Sequence, residues 1–144
     1  MTQSYETYQA KRKESILRQL RRQKAKREST LPAALGRVKE VARPDTWCTN
    51  HGNCFRCSIG DAESEAHARG KFERFIYWRQ YGATVFTELR LKSGDRPDLV
   101  ICLNNGEIFI EEIAESEKEV SLLAKKERYP FPMKIIRVEE RNGS

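Results

Sequence analysis

Residues 96–114 read RPDLVICLNNGEIFIEEIA, and this stretch decides the fold. A near-continuous apolar run predicts a buried strand over residues 98–103. Asn104-Asn105-Gly106 is a strong turn signal, and residues 107–114 predict the second strand of a hairpin. Pro97 sets where the first strand begins, since it supplies no donor to the ladder. The stretch therefore predicts two antiparallel strands joined by a tight turn.

Acidic side chains lie at one end of this hairpin. Asp98 begins the first strand, while Glu111 and Glu112 are adjacent on the second, so one of the two must point inward. A carboxylate inside an apolar strand is costly unless it is paired or bound to a metal. Asp98 together with Glu112 or Glu111 is therefore a candidate site for a divalent cation. A cation beside a basic polypeptide indicates phosphodiester chemistry.

Regular elements flank the hairpin on both sides. They are predicted, in chain order, as a helix from Asp61 or Ser64 to about Gln80 ended by Gly82, a strand over 84–91, the hairpin, a helix from about Ser116 to Arg128 and a strand over 133–138. This α-β-β-β-α-β order favours a mixed sheet covered by helices, in the α/β (α+β) class. The buried stripe of the first of these helices is predicted to comprise Ala68, Phe72, Phe75 and Ile76.

Positive charge is concentrated near the N-terminus. Residues 1–44 hold 12 Lys and Arg against four Glu, whereas residues 45–144 hold 15 basic and 17 acidic residues, so the net charge of +6 comes from the first segment. Residues 5–29 contain neither Pro nor Gly and predict a weakly amphipathic basic helix, the basic arm. A linker is predicted from Pro32, Gly36 and Pro44.

The basic arm is predicted to bind nucleic acid, because clustered cations release condensed counterions from phosphate. The candidate contacts are Arg18, Arg21, Arg22 and Lys24. Two alternatives remain open. The arm could aid solubility or pair with an acidic partner, or it could pair with a second subunit in a homodimer. Phosphate contacts do not distinguish DNA from RNA.

A cysteine cluster follows the linker. Cys48-x2-His51-x2-Cys54-x2-Cys57 places three sulfurs and one imidazole within ten residues. In a reducing compartment this pattern favours Zn²⁺ over disulfides and predicts a structural zinc knuckle. His67 could replace His51 as the fourth ligand, and an iron–sulfur cluster is a further alternative.

Composition excludes a membrane-spanning protein. Mean hydropathy is -0.75 and 33% of residues are charged, so no run approaches the roughly 20 apolar residues of a span. Residues 1–30 lack the apolar centre of a signal peptide. The expected location is the cytoplasm, or the host cytoplasm for a viral protein. The chain is predicted to comprise the arm and linker (1–44), the knuckle (45–60) and an α/β core (61–144).

Pro97-Asp98, the downstream Glu112-Ile113 and the element order resemble the PD-(D/E)XK nuclease superfamily, which includes restriction endonucleases and Holliday junction resolvases. The resemblance covers about residues 62–138. It implies a restriction endonuclease-like core in which Asp98 and Glu112 bind Mg²⁺ or Mn²⁺. It also implies that Glu65 is a supporting acid on the first core helix, and that metal-activated water hydrolyses a phosphodiester.

The chain departs from the family pattern at Ala114. Family members carry there a lysine that positions the water and stabilises negative charge. The candidates to replace it are Lys71, Lys125 and Lys126. Alternatively, Glu115 or Glu117 extends the metal shell. Arg96, beside Asp98, is a candidate phosphate contact, since a guanidinium can bind phosphate through two hydrogen bonds.

The resemblance thus implies a small metal-dependent DNA endonuclease. The alternative is a catalytically inactive nuclease fold that regulates by binding DNA or a protein partner. A third hypothesis is a protein-interaction factor that uses the N-terminal helix. Acids at positions 65, 98 and 112 favour the enzyme, whereas Ala114 favours the binding protein.

Overall fold

A computed structural model describes residues 4–59, 63–115 and 117–138. Within these ranges the helices are α1 (Tyr5–Glu28), α2 (Leu31–Val41), α3 (Pro44–Thr49), α4 (Glu65–Gln80) and α5 (Glu119–Arg128), and the strands are β1 (Thr84–Thr87), β2 (Leu99–Cys102), β3 (Ile108–Ala114) and β4 (Met133–Arg137). The predicted α-β-β-β-α-β order is confirmed from α4 onward, and the protein is of the mixed α/β class.

The turn between β2 and β3 sets the register of the sheet. Gly106 has a φ of 91°, a left-handed conformation that glycine adopts without strain. Leu99 pairs with Glu111 in the antiparallel ladder that follows from this turn. Asp98 is one residue before Leu99, so the same register sets it opposite Glu112.

The sheet has four strands in the order β1-β2-β3-β4. β1 and β2 are antiparallel, and β4 returns through α5 to pair parallel with β3. One face of the sheet packs against Ala34 and Val38 of α2. The other face packs beneath Phe75 of α4. The predicted mixed sheet covered by helices is confirmed, with β2 and β3 buried throughout.

The predicted linker is wrong, because residues 31–41 form α2 and belong to the core. Pro32 stands in the first turn of α2, where its missing N–H is not needed. The Thr30 side chain caps this turn by accepting a hydrogen bond from the N–H of Ala33 at 3.4 Å. Ala34 and Val38 are four residues apart, so they lie on one face of the helix, and both are completely buried.

The predicted buried stripe of α4 is only half correct. Ala68 and Phe75 are buried, but Phe72 and Ile76 are 46% and 42% exposed. The helix is rotated so that Lys71, 1% exposed, faces the interior instead. A buried cation is tolerated there because carboxylates surround it, a condition that helical periodicity does not reveal.

Two predicted helix starts, Asp61 and Ser116, lie outside the described residues. The other predicted start of α4 is confirmed, since the Ser64 hydroxyl accepts a hydrogen bond from the N–H of His67 at 3.1 Å. α5 begins at Glu119, after Lys118.

The strand predicted over residues 84–91 ends early, at Thr87. Glu88 has a φ of 60°, so the chain leaves the sheet at this residue. Leu91, predicted to lie in the same strand, forms an isolated bridge with Ala42. Because β1 ends here, the Glu88 carboxylate lies in a largely buried position, as described below.

The cysteine-containing segment covers the free edge of β1. The Asn53 N–H donates to the Val85 carbonyl at 2.7 Å, and Asn53 Oδ1 accepts from the Val85 N–H at 2.9 Å. Asn50 donates to the Thr87 carbonyl at 2.6 Å. These bonds satisfy backbone groups that an open edge would leave unpaired.

The predicted basic helix is confirmed as α1, and its described side chains are exposed along its whole length. Among the described residues, no helix is long and apolar enough to cross a membrane.

Candidate active site

The two acids singled out in the sequence meet at the end of β2 and β3. The carboxyl groups of Asp98 and Glu112 lie close enough for each to shift the pKa of the other, and the side chains are 15% and 4% exposed. The N–H of Ile113 donates to Asp98 Oδ2 at 2.7 Å and fixes that side chain. Both acids face a cavity of about 270 Å³, whose lining is His67, Arg96, Asp98, Glu112, Ile113, Glu115, Glu117 and Lys125.

The choice between Glu111 and Glu112, which the sequence left open, is resolved by strand alternation. Glu111 points to the opposite face, beneath α4, and is fully buried. Arg74 donates to both Glu111 oxygens, at 2.8 and 2.7 Å, and the Trp78 indole donates to one of them at 2.9 Å. Glu111 is therefore a paired structural carboxylate, and Glu112 is the acid of the cavity.

Burial makes the acid pair retain a proton. The pKa of Glu112 is raised to about 8, first by burial and then by the neighbouring Asp98. Burial is the largest single influence on Asp98 and acts to raise its pKa, but the interactions with His67, Glu112 and the Ile113 N–H together outweigh it, so the net pKa is lowered. Near neutral pH the pair therefore carries one proton and one negative charge, an arrangement in which a cation can replace the proton.

His67 lies between two carboxylates at the start of α4. Its Nε2 is 3.2 Å from Asp98 Oδ2, and its Nδ1 is 2.7 Å from Glu63 Oε1. The hydrogen bond with Asp98 is the main cause that raises the pKa of His67 to about 9. The sequence offered His67 only as an alternative zinc ligand, and Glu63 was missed because it precedes the helix.

Of the three lysines proposed to replace the family lysine, only Lys125 lines the cavity. Its Nζ lies 4.0 Å from Glu112 Oε2 and 2.8 Å from Glu117 Oε1. Burial alone would lower its pKa, but Glu117 and Glu112 raise it, so the ammonium group stays charged. Lys71 is buried away from the cavity lining, and Lys126 is exposed outside it.

Glu65 is not brought to the site. It is exposed and pairs with Arg69 one turn further along α4. The carboxylate near the start of α4 that does connect with the acid pair is Glu63, through His67. The resemblance implied Glu65, but α4 buries a different face from the predicted stripe, and Glu65 lies outside that face.

Arg96 lines the cavity beside the acid pair, as predicted. Its Nη1 is 2.9 Å from Glu88 Oε2. The side chain of Glu88 is 15% exposed and is held between Arg96 and Lys71. The guanidinium of Arg96 is therefore oriented by an ion pair while remaining 38% exposed.

The donor set of the acid pair fits a hard divalent cation such as Mg²⁺ or Mn²⁺. Two carboxylates would hold the cation, and water or phosphate oxygens would complete its shell, as is common for Mg²⁺. Within the described part of the chain, no three His, Cys, Asp or Glu side chains are arranged to hold a metal ion. A cation at Asp98 and Glu112 would thus depend on oxygen atoms from the substrate.

The four predicted zinc ligands lie along the segment that covers β1. Cys48 is on α3, Cys54 and Cys57 follow in the loop, and all three are exposed free cysteines. His51 is also exposed. His67 is engaged with Asp98 and Glu63, which leaves His51 as the nitrogen donor of the cluster. Zinc binding at the cluster stays a prediction.

The predicted nucleic-acid contacts on the arm share one helix. Arg18, Arg21, Arg22 and Lys24 all lie on α1, and all are exposed.

Comparison of the chain with protein-family models, with curated proteins and with solved structures finds no match.

Proposed function

We propose that the protein is a metal-dependent nuclease that hydrolyses phosphodiester bonds in DNA, with its active site at Asp98 and Glu112. The observation that carries this proposal is the placement of these two buried carboxyl groups on one cavity that is also lined by Arg96 and Lys125. Two carboxylates can hold a metal ion, and two positively charged side chains can contact a phosphate, which together suit metal-dependent hydrolysis of a phosphodiester.

Each cavity residue has a distinct task in this proposal. Asp98 and Glu112 hold the cation, which when bound supplies an activated water and neutralises charge on the phosphate. Lys125 stays protonated, so it stabilises negative charge that develops on the phosphate and does not act as a base. Arg96 binds a non-bridging phosphate oxygen and orients the backbone of the substrate.

The proposed role of Lys125 accounts for Ala114. Ala114 is 2% exposed at the end of β3. Lys125 comes instead from α5, on the return to β4, and reaches within 4.0 Å of Glu112. In this proposal a lysine from the helix replaces the lysine that family members carry on the strand.

The basic arm would supply sequence-independent contacts to the nucleic-acid backbone. α1 is 24 residues long and its described arginines and lysines are exposed. Its cations suit a polyanion more than a protein surface of mixed charge. DNA is the proposed substrate, and RNA is tested as a second substrate in the experiment below.

The second candidate function is a nuclease fold that binds nucleic acid without cleaving it. Ala114 is the observation that favours it, because an enzyme that lost its strand lysine could retain the fold and the arm. The two candidates differ in one respect: only the nuclease requires the acid pair.

The test is cleavage of labelled duplex, branched and single-stranded DNA, and of RNA, with Mg²⁺ or Mn²⁺. Asp98→Asn and Glu112→Gln should each reduce the rate by at least about 100-fold, since they remove charge from the cation site. The matched control is Asp95→Asn. Asp95 lies three residues before Asp98, and its carboxylate pairs with Arg128 outside the cavity. Equal cleavage by wild type and Asp98→Asn would refute the site. Binding without cleavage on every substrate would establish the second candidate.

We also propose a structural zinc ion bound by Cys48, His51, Cys54 and Cys57. Three thiolates and one imidazole are a donor set typical of structural zinc. Binding would require the exposed loop to close around the ion. Elemental analysis of protein purified under reducing conditions should give one zinc per chain, and Cys54→Ser together with Cys57→Ser should remove it. Wild-type protein without stoichiometric zinc would contradict this site.

A further inference from the structure

Lys71 is an interior lysine that none of the steps above uses. Its side chain is 2% exposed, and its Nζ lies 2.8 Å from Glu63 Oε1 and 3.0 Å from Glu88 Oε1. Apolar side chains at all three positions, Lys71, Glu63 and Glu88, would fill this space without the desolvation cost of three buried charges. Packing alone therefore does not explain a lysine here.

One carboxylate that holds Lys71 also holds the cavity arginine. Oε1 of Glu88 pairs with Lys71 Nζ, and Oε2 of Glu88 pairs with Arg96 Nη1 at 2.9 Å. Glu88 occupies the left-handed position that ends β1, with a φ of 60°. The backbone turn thus directs a carboxylate inward, where it joins the interior lysine to the cavity wall.

The other carboxylate that holds Lys71 leads to the acid pair. Glu63 Oε1 also contacts His67 Nδ1 at 2.7 Å, and His67 Nε2 lies 3.2 Å from Asp98 Oδ2. The N–H of Ser58 donates to Glu63 Oε2 at 2.8 Å and holds that carboxylate in place. Charges alternate in sign from Lys71 to Asp98 along this path.

The two paths end on one tripeptide. Arg96 and Asp98 flank Pro97. A single chain of alternating charges therefore begins at Arg96, passes through Lys71, and ends at Asp98. We propose that Lys71 is a positioning residue that fixes Arg96 and His67 on the wall of the phosphodiester site through the carboxylates it shares with them. The phosphate contact of Arg96 rests on the proposed function, whereas the coupling of the side chains does not.

The coupling is tested without nucleic acid or metal, by ¹⁵N NMR of the Arg96 guanidinium and the His67 ring in Lys71→Met. Both sets of signals should move. Val38→Ala is the control, because it removes buried volume on α2 and should lower the melting temperature while leaving both sets in place. A folded Lys71→Met with wild-type Arg96 and His67 signals would overturn the proposal.

Two further variants decide the outcome if Lys71→Met fails to fold. Glu88→Gln keeps the shape of the side chain and should move the Arg96 signals alone, since the path through Glu63 is intact. Glu63→Gln should move the His67 signals alone. Signals that stay in place in both variants, or that move equally in both, would overturn the coupling.

The positioning role has its own kinetic readout. Glu88→Gln should raise the KM for a duplex oligonucleotide about tenfold, the effect of losing one charged hydrogen bond, and should change kcat less than twofold. In an Arg96→Met background the same substitution should leave KM unchanged, because Glu88 acts through Arg96. Equal effects in the two backgrounds would overturn the role. A wild-type protein that does not cleave would refute the proposed function, and the spectra would still decide the coupling.

Discussion

Tyr129 donates its phenolic O–H to Glu112 Oε1 at 2.6 Å, with both residues buried. Tyr129 directly follows α5, and Glu112 lies on β3, so this bond ties the helix that carries Lys125 to the strand that carries the acid. Burial and the neighbouring Glu112 raise the pKa of Tyr129, which keeps the phenol protonated. The bond stabilises the carboxylate form of Glu112, the form that a cation requires.

Tyr129→Phe should therefore weaken cation binding. Loss of a hydrogen bond to a buried charged group costs about 1.5–3 kcal/mol, so the Mg²⁺ dissociation constant should rise at least about tenfold. Isothermal titration calorimetry of the protein without nucleic acid gives this constant. Tyr8→Phe is the matched control, since Tyr8 is 53% exposed on α1. Unchanged Mg²⁺ affinity in Tyr129→Phe would contradict a cation site at Glu112.

Mg²⁺ binding should release a proton from the acid pair. Because the pKa of Glu112 is raised to about 8, the carboxyl is protonated at pH 6–7 and the cation must displace that proton. The Mg²⁺ association constant should rise about tenfold per pH unit below 8 and level off above it. Calorimetry at pH 7 in two buffers of different ionisation enthalpy counts the protons. Wild type should release about one per Mg²⁺, and a pH-independent affinity would disprove the assignment.

The stability of the cation-free protein should fall between pH 6.5 and 9. The pKa of His67 rises from 6.5 to about 9 on folding. Its contribution is therefore fully present below pH 6.5 and is lost as the pH rises through 9. The loss should be on the order of 2 kcal/mol in urea unfolding. Glu112 acts in the same direction at lower pH, because its pKa rises from 4.5 to about 8. His67→Gln should flatten the profile above pH 8, and a profile as steep as wild type would rule out this role for His67.

The hairpin and its acid pair could be predicted because both depend on local sequence. Asn105-Gly106 fixes the turn, the turn fixes the register, and the register sets Asp98 opposite Glu112. The sequence could not choose Lys125 among its three candidates, because that choice depends on the rotation of α5 against β3. Such a rotation is a property of tertiary packing, which periodicity within one helix does not contain.

The wrong predictions share a physical origin. Lys71 was predicted as a candidate to replace the family lysine at the site. It is buried instead, although lysine is rarely buried, because two carboxylates from outside α4 compensate its charge. Pro32 and Gly36 predicted a linker, but Thr30 caps a helix here and Pro32 occupies its first turn. In both cases a partner or a position removed the usual penalty of the residue type.

Binding of nucleic acid by the arm should depend on salt through counterion release. Each phosphate that the arm neutralises contributes about 0.9 to the slope of log Kd against log salt for duplex DNA. Arg21→Ala with Arg22→Ala should therefore lower the slope by nearly two. Lys39→Ala with Lys92→Ala is the control, since both lysines are exposed outside α1. Fluorescence anisotropy measures the slopes at salt concentrations from about 50 to about 300 mM, over which the Debye length falls and surface charges become increasingly screened. Equal slopes in both double variants would show that α1 does not contact the backbone.

Two glycines in helices should respond to alanine in opposite directions. A Cβ on Gly70 of α4 would lie 2.6 Å from Val138 Cγ2 and 3.1 Å from Ile113 Cγ2, whereas a Cβ on Gly36 of α2 would have no atom within 4 Å. Gly36→Ala should stabilise the protein by about 0.5–1 kcal/mol, because alanine favours a helix. Gly70→Ala should destabilise it by about 1–3 kcal/mol through overpacking.

Urea unfolding of the two variants tests this contrast directly. The displaced Ile113 follows Glu112, and its N–H holds Asp98 Oδ2 at 2.7 Å. Gly70→Ala should therefore also weaken Mg²⁺ binding, whereas Gly36→Ala should leave it unchanged. A Gly70→Ala protein as stable as Gly36→Ala would mean that α4 does not pack this closely against β3 and the segment after β4. Reduced stability with normal Mg²⁺ affinity would instead separate the packing of α4 from the geometry of the acid pair.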